Sequence, residues 1–366
     1  MNLSVGIVGL PNVGKSTLFN ALTQKSVPAE NYPFCTIDPS VGVVEVPDSR
    51  LHTLSKISGS EKTIPAIVEF VDIAGLVKGA SAGEGLGNQF LSNIKEVSII
   101  AHVVRIFEDS ELHHVEGTVD PKADAEVINL ELILSDIQTL QKRLDNLQKD
   151  IKKGNKDALQ LHSLCERLLQ HLQSEKLANS LDLSPDEIES IKHLNLLTMK
   201  PMLFVCNKKH DSLNLDDTAD SRWDDLLTYI DSINADFITV DAGVESELSD
   251  LNEDEKVEFR REYGSLDSGI DALIRSTYKT LGMISYFTTG EKETRAWTIP
   301  IGSTAPEAGA AIHTDFRDKY IRALVVGYAD FVTAGSKAKA REQGLLRTEG
   351  KEYIVSDGDV VEFLHS

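Results

Sequence analysis

Two glycines, a lysine and a serine set the chemistry near the N-terminus. The segment Gly9-Leu10-Pro11-Asn12-Val13-Gly14-Lys15-Ser16 matches GxxxxGK[ST]. Glycine at both ends lets the backbone wrap around phosphate oxygens with its N–H groups pointing inward. The lysine ammonium reaches β- and γ-phosphates, and the serine hydroxyl ligates Mg²⁺. The pattern counts because of its frame. Ser4–Val8 is apolar and β-branched, as a buried strand is, and Leu18, Phe19, Ala21 and Leu22 follow with helical spacing. Strand, glycine loop and helix N-terminus in that order make an anion site. Asn12, Val13, Gly14, Lys15, Ser16 and Thr17 are therefore expected to hold nucleotide phosphates, with Lys15 also serving the chemistry.

A second element points the same way. The β-rich run 66–71 delivers Asp72-Ile73-Ala74-Gly75, a DxxG sequence at a strand tip. Asp72 is expected to hold Mg²⁺ through water, and the Gly75 amide to donate to a γ-phosphate. Leu76 follows, where Ras-type enzymes carry the glutamine that orients the attacking water; an aliphatic side chain makes no such hydrogen bond. Four glycines then fall within residues 79–87, a composition suited to a segment that orders on binding. Upstream, Asn31-Tyr32-Pro33-Phe34-Cys35-Thr36-Ile37-Asp38-Pro39 stands where a first switch belongs, and Thr36 is the candidate to close on Mg²⁺.

Base choice is set further along. The apolar run Met202-Leu203-Phe204-Val205-Cys206 ends in Asn207-Lys208-Lys209-His210. In the guanine-reading NKxD motif the aspartate offers two acceptor oxygens to two adjacent guanine donors. Here His210 replaces it, and a neutral imidazole has one donor and one acceptor. The loss weakens guanine preference by about 1.5–3 kcal/mol, and adenine is penalised less. A one-residue slip of the loop would bring Asp211 into the same role, so the residues alone leave GTP open. Asn207, Lys208 and His210 are the candidate base-side residues.

These stretches, with His114–Pro121 and the C-terminal Tyr353–Leu364, resemble the YchF family of Obg-like ATPases in the expected order from residue 5 to residue 364. The resemblance implies a TRAFAC-class P-loop domain hydrolysing ATP rather than, or as well as, GTP, and association with ribosomes. It makes Leu76 the hydrophobic replacement that marks the group. It matches His114 to the family histidine, here expected to orient or deprotonate water. Asn12 resembles the asparagine that binds K⁺ in several glutamine-less relatives, so K⁺ is a candidate activator beside Mg²⁺.

The elements that must position these residues form an α/β architecture. A P-loop G-domain over residues 1–121 and 200–281 is split by a helical insert, 122–199. Ile137, Leu140, Leu144, Leu147 and Ile151 step by three and four, Leu161, Cys165, Leu168 and Leu172 return after a Gly154 break, and together they predict an antiparallel hairpin. Ser184-Pro185-Asp186-Glu187 reads as a capping box opening another helix. His102, inside an apolar strand, is expected to be packed there. After Gly282 the runs 297–301, 321–326 and 353–364 are short and β-rich. By resemblance, residues 282–366 are a β-grasp TGS domain, with an RNA or ribosome contact on the Lys337–Arg347 edge.

Composition bounds the function classes. The chain has 366 residues, 41% hydrophobic and 26% charged, with a net charge of −21. That excludes a basic nucleic-acid coat. Eighteen acidic residues against four basic ones lie between Asp211 and Asp267, whereas residues 334–348 hold Lys337, Lys339, Arg341 and Arg347 against Glu342. Three cysteines make no disulfide framework. No apolar run approaches the ~20 residues of a membrane helix, and the N-terminus runs straight into a strand without a basic leader. A cytoplasmic, non-membrane location is expected. The main expectation is a Mg²⁺-dependent ATPase switch; the alternatives are a ribosome or RNA adaptor whose nucleotide sets conformation, and a conventional GTPase.

Overall fold

The computed structural model describes residues 3–24, 40–73, 91, 93–109, 119–152, 154, 156–249, 251–262 and 268–365. They fall into two units. One comprises Leu3–Gly42 and Glu69–Leu273; the other comprises Val43–Val68 and Ile274–Ser366, with Met1–Asn2.

The first unit is the expected α/β P-loop fold. Its strands β1 (Ser4–Val8), β2 (Val41–Glu45), β4 (Ile67–Asp72), β5 (Ile99–Arg105), β6 (Met202–Asn207) and β7 (Asp236–Val240) lie in the order β2-β4-β1-β5-β6-β7. The pairs β1–β4, β1–β5, β5–β6 and β6–β7 are parallel. Parallel strands are covered on both faces, which is why β1, β5 and β6 read as nearly unbroken apolar runs. Ile7 stands opposite Asp72, Val8 opposite His102 and Arg105 opposite Asn207. This register brings the carboxyl ends of the strands, and the loops after them, to one edge of the sheet, where open parallel sheets bind ligands.

Helix α1 (Lys15–Gln24) starts at the end of the glycine loop, where Leu18 N donates to Gly14 O at 2.9 Å. The insert forms the expected hairpin of α3 (Pro121–Ile151) and α4 (Lys156–Gln173). Asp120 caps α3 by accepting from Ala123 N, and Pro121 occupies the first turn. Leu140, Leu147, Cys165, Leu168 and Leu172 are buried between the stripes, while Ile137, Leu144 and Ile151 are half-buried. The Ser184–Glu187 capping box opens α5 (Pro185–Ile191). The remaining helices of this region are α6 (Ser221–Ser232), α7 (Ala242–Ser249), α8 (Glu253–Glu262) and α9 (Gly269–Thr280).

One buried carboxylate ties the insert to β6. Asp136 on α3 is fully buried and accepts from Leu197 N (2.9 Å), Thr198 N (2.8 Å) and Thr198 Oγ1 (2.7 Å). Those residues form the turn that enters β6 and so helps to place Asn207. Asp136→Ala should destabilise the protein by about 3 kcal/mol, because three buried donors lose a charged acceptor. A urea midpoint measures this; a loss below about 0.5 kcal/mol would show that the turn holds without it.

The second unit is built on a mixed sheet. Strands β3 (Lys62–Ile64), β8 (Met283–Thr289), β9 (Glu293–Pro300), β10 (Tyr320–Gly327), β11 (Arg347–Glu349) and β12 (Asp359–His365) run in the order β11-β10-β12-β8-β9-β3. Antiparallel pairs β8–β9 and β10–β12 flank the parallel pair β12–β8, consistent with the β-grasp expectation. Tyr286, Ile299, Tyr320, Val325, Val361 and Phe363 form its core.

Two features differ from expectation. Residues 43–68, assigned to the G-domain by sequence, cluster with the C-terminal unit. Lys62–Ile64 pairs in parallel with Glu293–Arg295, and α2 (Ser49–Ser58) packs on β8 and β9. Arg50 on α2 bonds Asp48 and reaches Asp357 at 2.6 Å, with its guanidinium 5.2 Å from the Phe287 ring centre. The basic stretch Lys337–Arg347 is also no continuous strand edge. Residues 337–342 are helical, Lys337 pairs with Glu362, and Arg347 pairs with Glu349 at 3.1 Å. Lys339 and Arg341 are exposed. Among the described residues, no helix is long and apolar enough to cross a membrane.

Candidate functional site

The loop after β1 has the conformation that its glycines were expected to supply. Gly14 sits at φ +98, and a Cβ there would lie 2.1 Å from Asn207 Nδ2; a Cβ on Gly9 would lie 2.5 Å from Val103 O. Both positions must therefore lack a side chain. A cavity of about 360 Å³ opens at this edge, lined by Asn12, Gly14, Lys15, Ser16 and Thr17 on the phosphate side. Asn207, Lys208, Lys209, Phe107 and residues 241–243 line it further round. The structure thus brings the phosphate-loop candidates and the base-side candidates Asn207 and Lys208 to one cavity. Val13 is buried behind the loop, and its carbonyl accepts from Asn207 Nδ2.

Burial acts on two charged groups at the phosphate end, fully on Lys15 and in part on Asp72. Lys15 is buried, and its Nζ donates to Leu10 O at 2.7 Å. Burial pushes its pKa down, and the Asp72 carboxylate pulls the other way. Burial likewise pushes the Asp72 carboxyl up, opposed by Lys15. Burial disfavours each charge, so a phosphate on the lysine side and a cation on the aspartate side would relieve both. Ser16 and Asp72 supply hard oxygen donors, which suit Mg²⁺ with its retained waters and phosphate ligands. Among the described residues, no cluster of three or more His, Cys, Asp or Glu side chains could hold a metal alone. Thr36, Gly75, Leu76 and His114 lie outside the described residues, as does Cys35.

The base end differs in detail from a simple NKxD motif. Asn207 is buried and spans two loops, with Nδ2 donating to Val13 O at 2.9 Å and Oδ1 accepting from Ala242 N at 3.1 Å. The Lys208 ammonium pairs with Asp216 and Asp217, each at 2.9 Å, and Lys209 pairs with Asp109 at 2.5 Å. The His210 amide donates to Asp241 Oδ2 at 2.6 Å. Asp211, the alternative guanine acceptor, is 90% exposed, and neither it nor the His210 candidate is among the residues lining this cavity. Both line an adjoining cavity of about 580 Å³ that shares Lys208, Lys209 and Asp241 but contains no phosphate-loop residue.

Sequence reasoning missed Phe107 and Asp241. Arg105, buried at the end of β5, donates from Nε to Phe107 O at 2.9 Å and lies 4.7 Å from the Phe107 ring centre. It folds the strand exit so that Phe107 becomes part of the cavity wall. Asp241 follows the last strand of the sheet and accepts from Val244 N at 2.9 Å, starting α7. The only signal for either was its place directly after an apolar strand. His102 is packed as expected: it is buried, stacked on Phe204 at 4.8 Å between ring centres.

Comparison with known proteins bears on the whole chain. Residues 4–135 match the family model described as 50S ribosome-binding GTPase, and residues 283–366 match YchF-GTPase_C, described as a protein of unknown function (DUF933). The chain is 49% identical over 363 residues to the ribosome-binding ATPase YchF of Bacillus subtilis, covering 99% of each. It is 47% identical over 364 residues to the protein of that name from Escherichia coli O157:H7, covering 100% of this chain and 99% of the other. The solved YchF GTPase of Schizosaccharomyces pombe is 36% identical and superposes with a TM-score of 0.87, over 99% of this chain and 98% of that one.

Proposed function

The chain belongs to the YchF family, and from that premise we propose that it is a Mg²⁺-dependent, ATP-preferring switch that associates with the ribosome in the cytoplasm. It is a nucleoside triphosphatase. The observation that carries the ATP assignment is His210 at the guanine-reading position, with Asp211 turned out to solvent beside it.

The residues divide the work as follows. The amides from Asn12 to Thr17 and the N-terminus of α1 bind the phosphate chain. The Lys15 ammonium, now on Leu10 O, transfers to the β- and γ-phosphates, where negative charge gathers as the bond breaks. Ser16, Asp72 and Thr36 hold Mg²⁺. Mg²⁺ held there would supply Lewis-acid stabilisation of the negative charge on the phosphates. The Gly75 amide contacts the γ-phosphate. His114 orients the attacking water in place of the absent glutamine, a role open to an imidazole as a hydrogen-bonding general base. Asn207 positions the base loop against the phosphate loop, with Lys208 and His210 beside it. K⁺ at Asn12 is the candidate further activator.

The ribosome assignment rests on the names of the relatives, and RNA contact through residues 282–366 on exposed Lys339 and Arg341. Variant His114→Ala separates a catalytic switch from an adaptor. Turnover should fall about a hundredfold or more, within the usual range for a lost general base, while nucleotide-dependent sedimentation with ribosomes persists. Turnover within twofold of the parent would remove His114 from the mechanism. Loss of sedimentation in both nucleotide states of the parent protein would remove the ribosome.

A further inference from the structure

A carboxylate still stands at the base end of the cavity, although not at position 210. Asp241 lines the cavity beside Ala242 and Gly243. Its Oδ2 accepts from His210 N at 2.6 Å and its Oδ1 accepts from Val244 N at 2.9 Å. Those amides come from two separate segments and fix the carboxylate from both. The nearby lysines spend their charge elsewhere: Lys208 on Asp216 and Asp217, Lys209 on Asp109. Among the described residues, no ammonium pairs with Asp241.

We infer that Asp241 is a base-reading residue, accepting one hydrogen bond from the 6-amino group of adenine. The inference deepens the ATP preference proposed above and rests on that reading. With one backbone amide already on each oxygen, the carboxylate retains an acceptor site on each, and one of them suffices for an amino group. An adenine edge has one donor amino group, with acceptor nitrogens on either side. Asn207 uses one hydrogen of Nδ2 on Val13 O, and the second can meet such a ring nitrogen. Adenine would then be read by two residues together: Asp241 supplies an acceptor and Asn207 supplies a donor.

The test is calorimetric titration of the whole chain, with Mg²⁺, against three β,γ-imido triphosphates: those of adenosine, of guanosine and of purine riboside, which lacks the 6-amino group. The parent should bind the adenosine analogue about tenfold tighter than the purine riboside analogue, as loss of one charged hydrogen bond requires. In Asp241→Ser that gap should close to within twofold, with purine riboside affinity unchanged. Serine still caps α7 by accepting from Val244 N, so the fold is retained; Asp241→Asn, which keeps one oxygen acceptor, should give an intermediate gap. A gap that persists in Asp241→Ser, or is absent from the parent, overturns the inference. Tighter binding of the guanosine analogue by the parent would instead overturn the ATP preference, and a 6-amino gap erased by Asp241→Ser would still assign Asp241 to the base.

Discussion

Lys15→Ala should lower kcat for nucleoside triphosphate hydrolysis by about a thousandfold, the upper end of what loss of one preorganised transition-state contact costs. The lysine ammonium is buried against Leu10 O, and in the proposed mechanism it follows charge onto the β–γ bridging and γ-phosphate oxygens. Water entering the alanine variant would not replace it, because a solvated dipole must reorganise during the step. The fold should survive. Burial disfavours the Lys15 charge, so its removal costs little stability, and the melting temperature should stay within a few degrees. Phosphate release and a thermal melt read the two effects. A fall of less than tenfold would place the transition-state charge elsewhere.

Acid should unfold this protein through His102 more steeply than its surface carboxylates alone would dictate. The imidazole lies at 1% exposure between the neighbouring strands, and neither ring nitrogen has a hydrogen-bond partner among the described residues. Burial, helped by the charge on Lys15, pushes its pKa down to about 3 from the ordinary 6.5. The folded state keeps the ring neutral, whereas the unfolded chain takes up a proton below pH 6.5. Stability is therefore fully present above pH 6.5 and is lost as pH falls towards 3, at about 1.4 kcal/mol per unit. Over the whole window that amounts to about 5 kcal/mol, of which about 2 kcal/mol appears by pH 5. His102→Phe, with His102→Leu as a second variant should the larger ring not fit, removes this component. Urea midpoints at pH 7.5 and pH 5.0 should then fall less for the variant than for the parent. At pH 7.5 the variant should match or exceed the parent, since an unpartnered polar ring has left the core. Equal acid losses in parent and variants would mean that the imidazole is protonated in the folded state.

What the sequence revealed depended on how local each signal was. The phosphate loop was legible because Gly9, Gly14, Lys15 and Ser16 are all needed within eight positions, and the strand and helix around them carry their own periodicity. The helical hairpin and the Ser184 capping box were legible for the same reason. The strand Lys62–Ile64 was not, because it is three residues long, half-exposed and has no period of its own. Its partner is Glu293–Arg295, and only the folded chain brings them together. That pairing carries residues 43–68 away from the domain in which they lie by order. Asp241 was invisible for a related reason. Nothing around Val240-Asp241-Ala242 marks it as different from any other strand-end aspartate until the His210 amide arrives from another loop. In the Lys337–Arg347 stretch a run of like charges says nothing of its partners: Glu362 and Glu349 neutralise two of its four cations.

The central claim is that a P-loop cradle lacking the guanine-reading aspartate selects ATP. Its most direct test is titration of the nucleotide-free parent protein with β,γ-imido ATP and β,γ-imido GTP in the presence of Mg²⁺. The account predicts tighter binding of the ATP analogue. Tighter binding of the GTP analogue by tenfold or more, about 1.4 kcal/mol, would contradict it and return the chain to the guanine-reading enzymes.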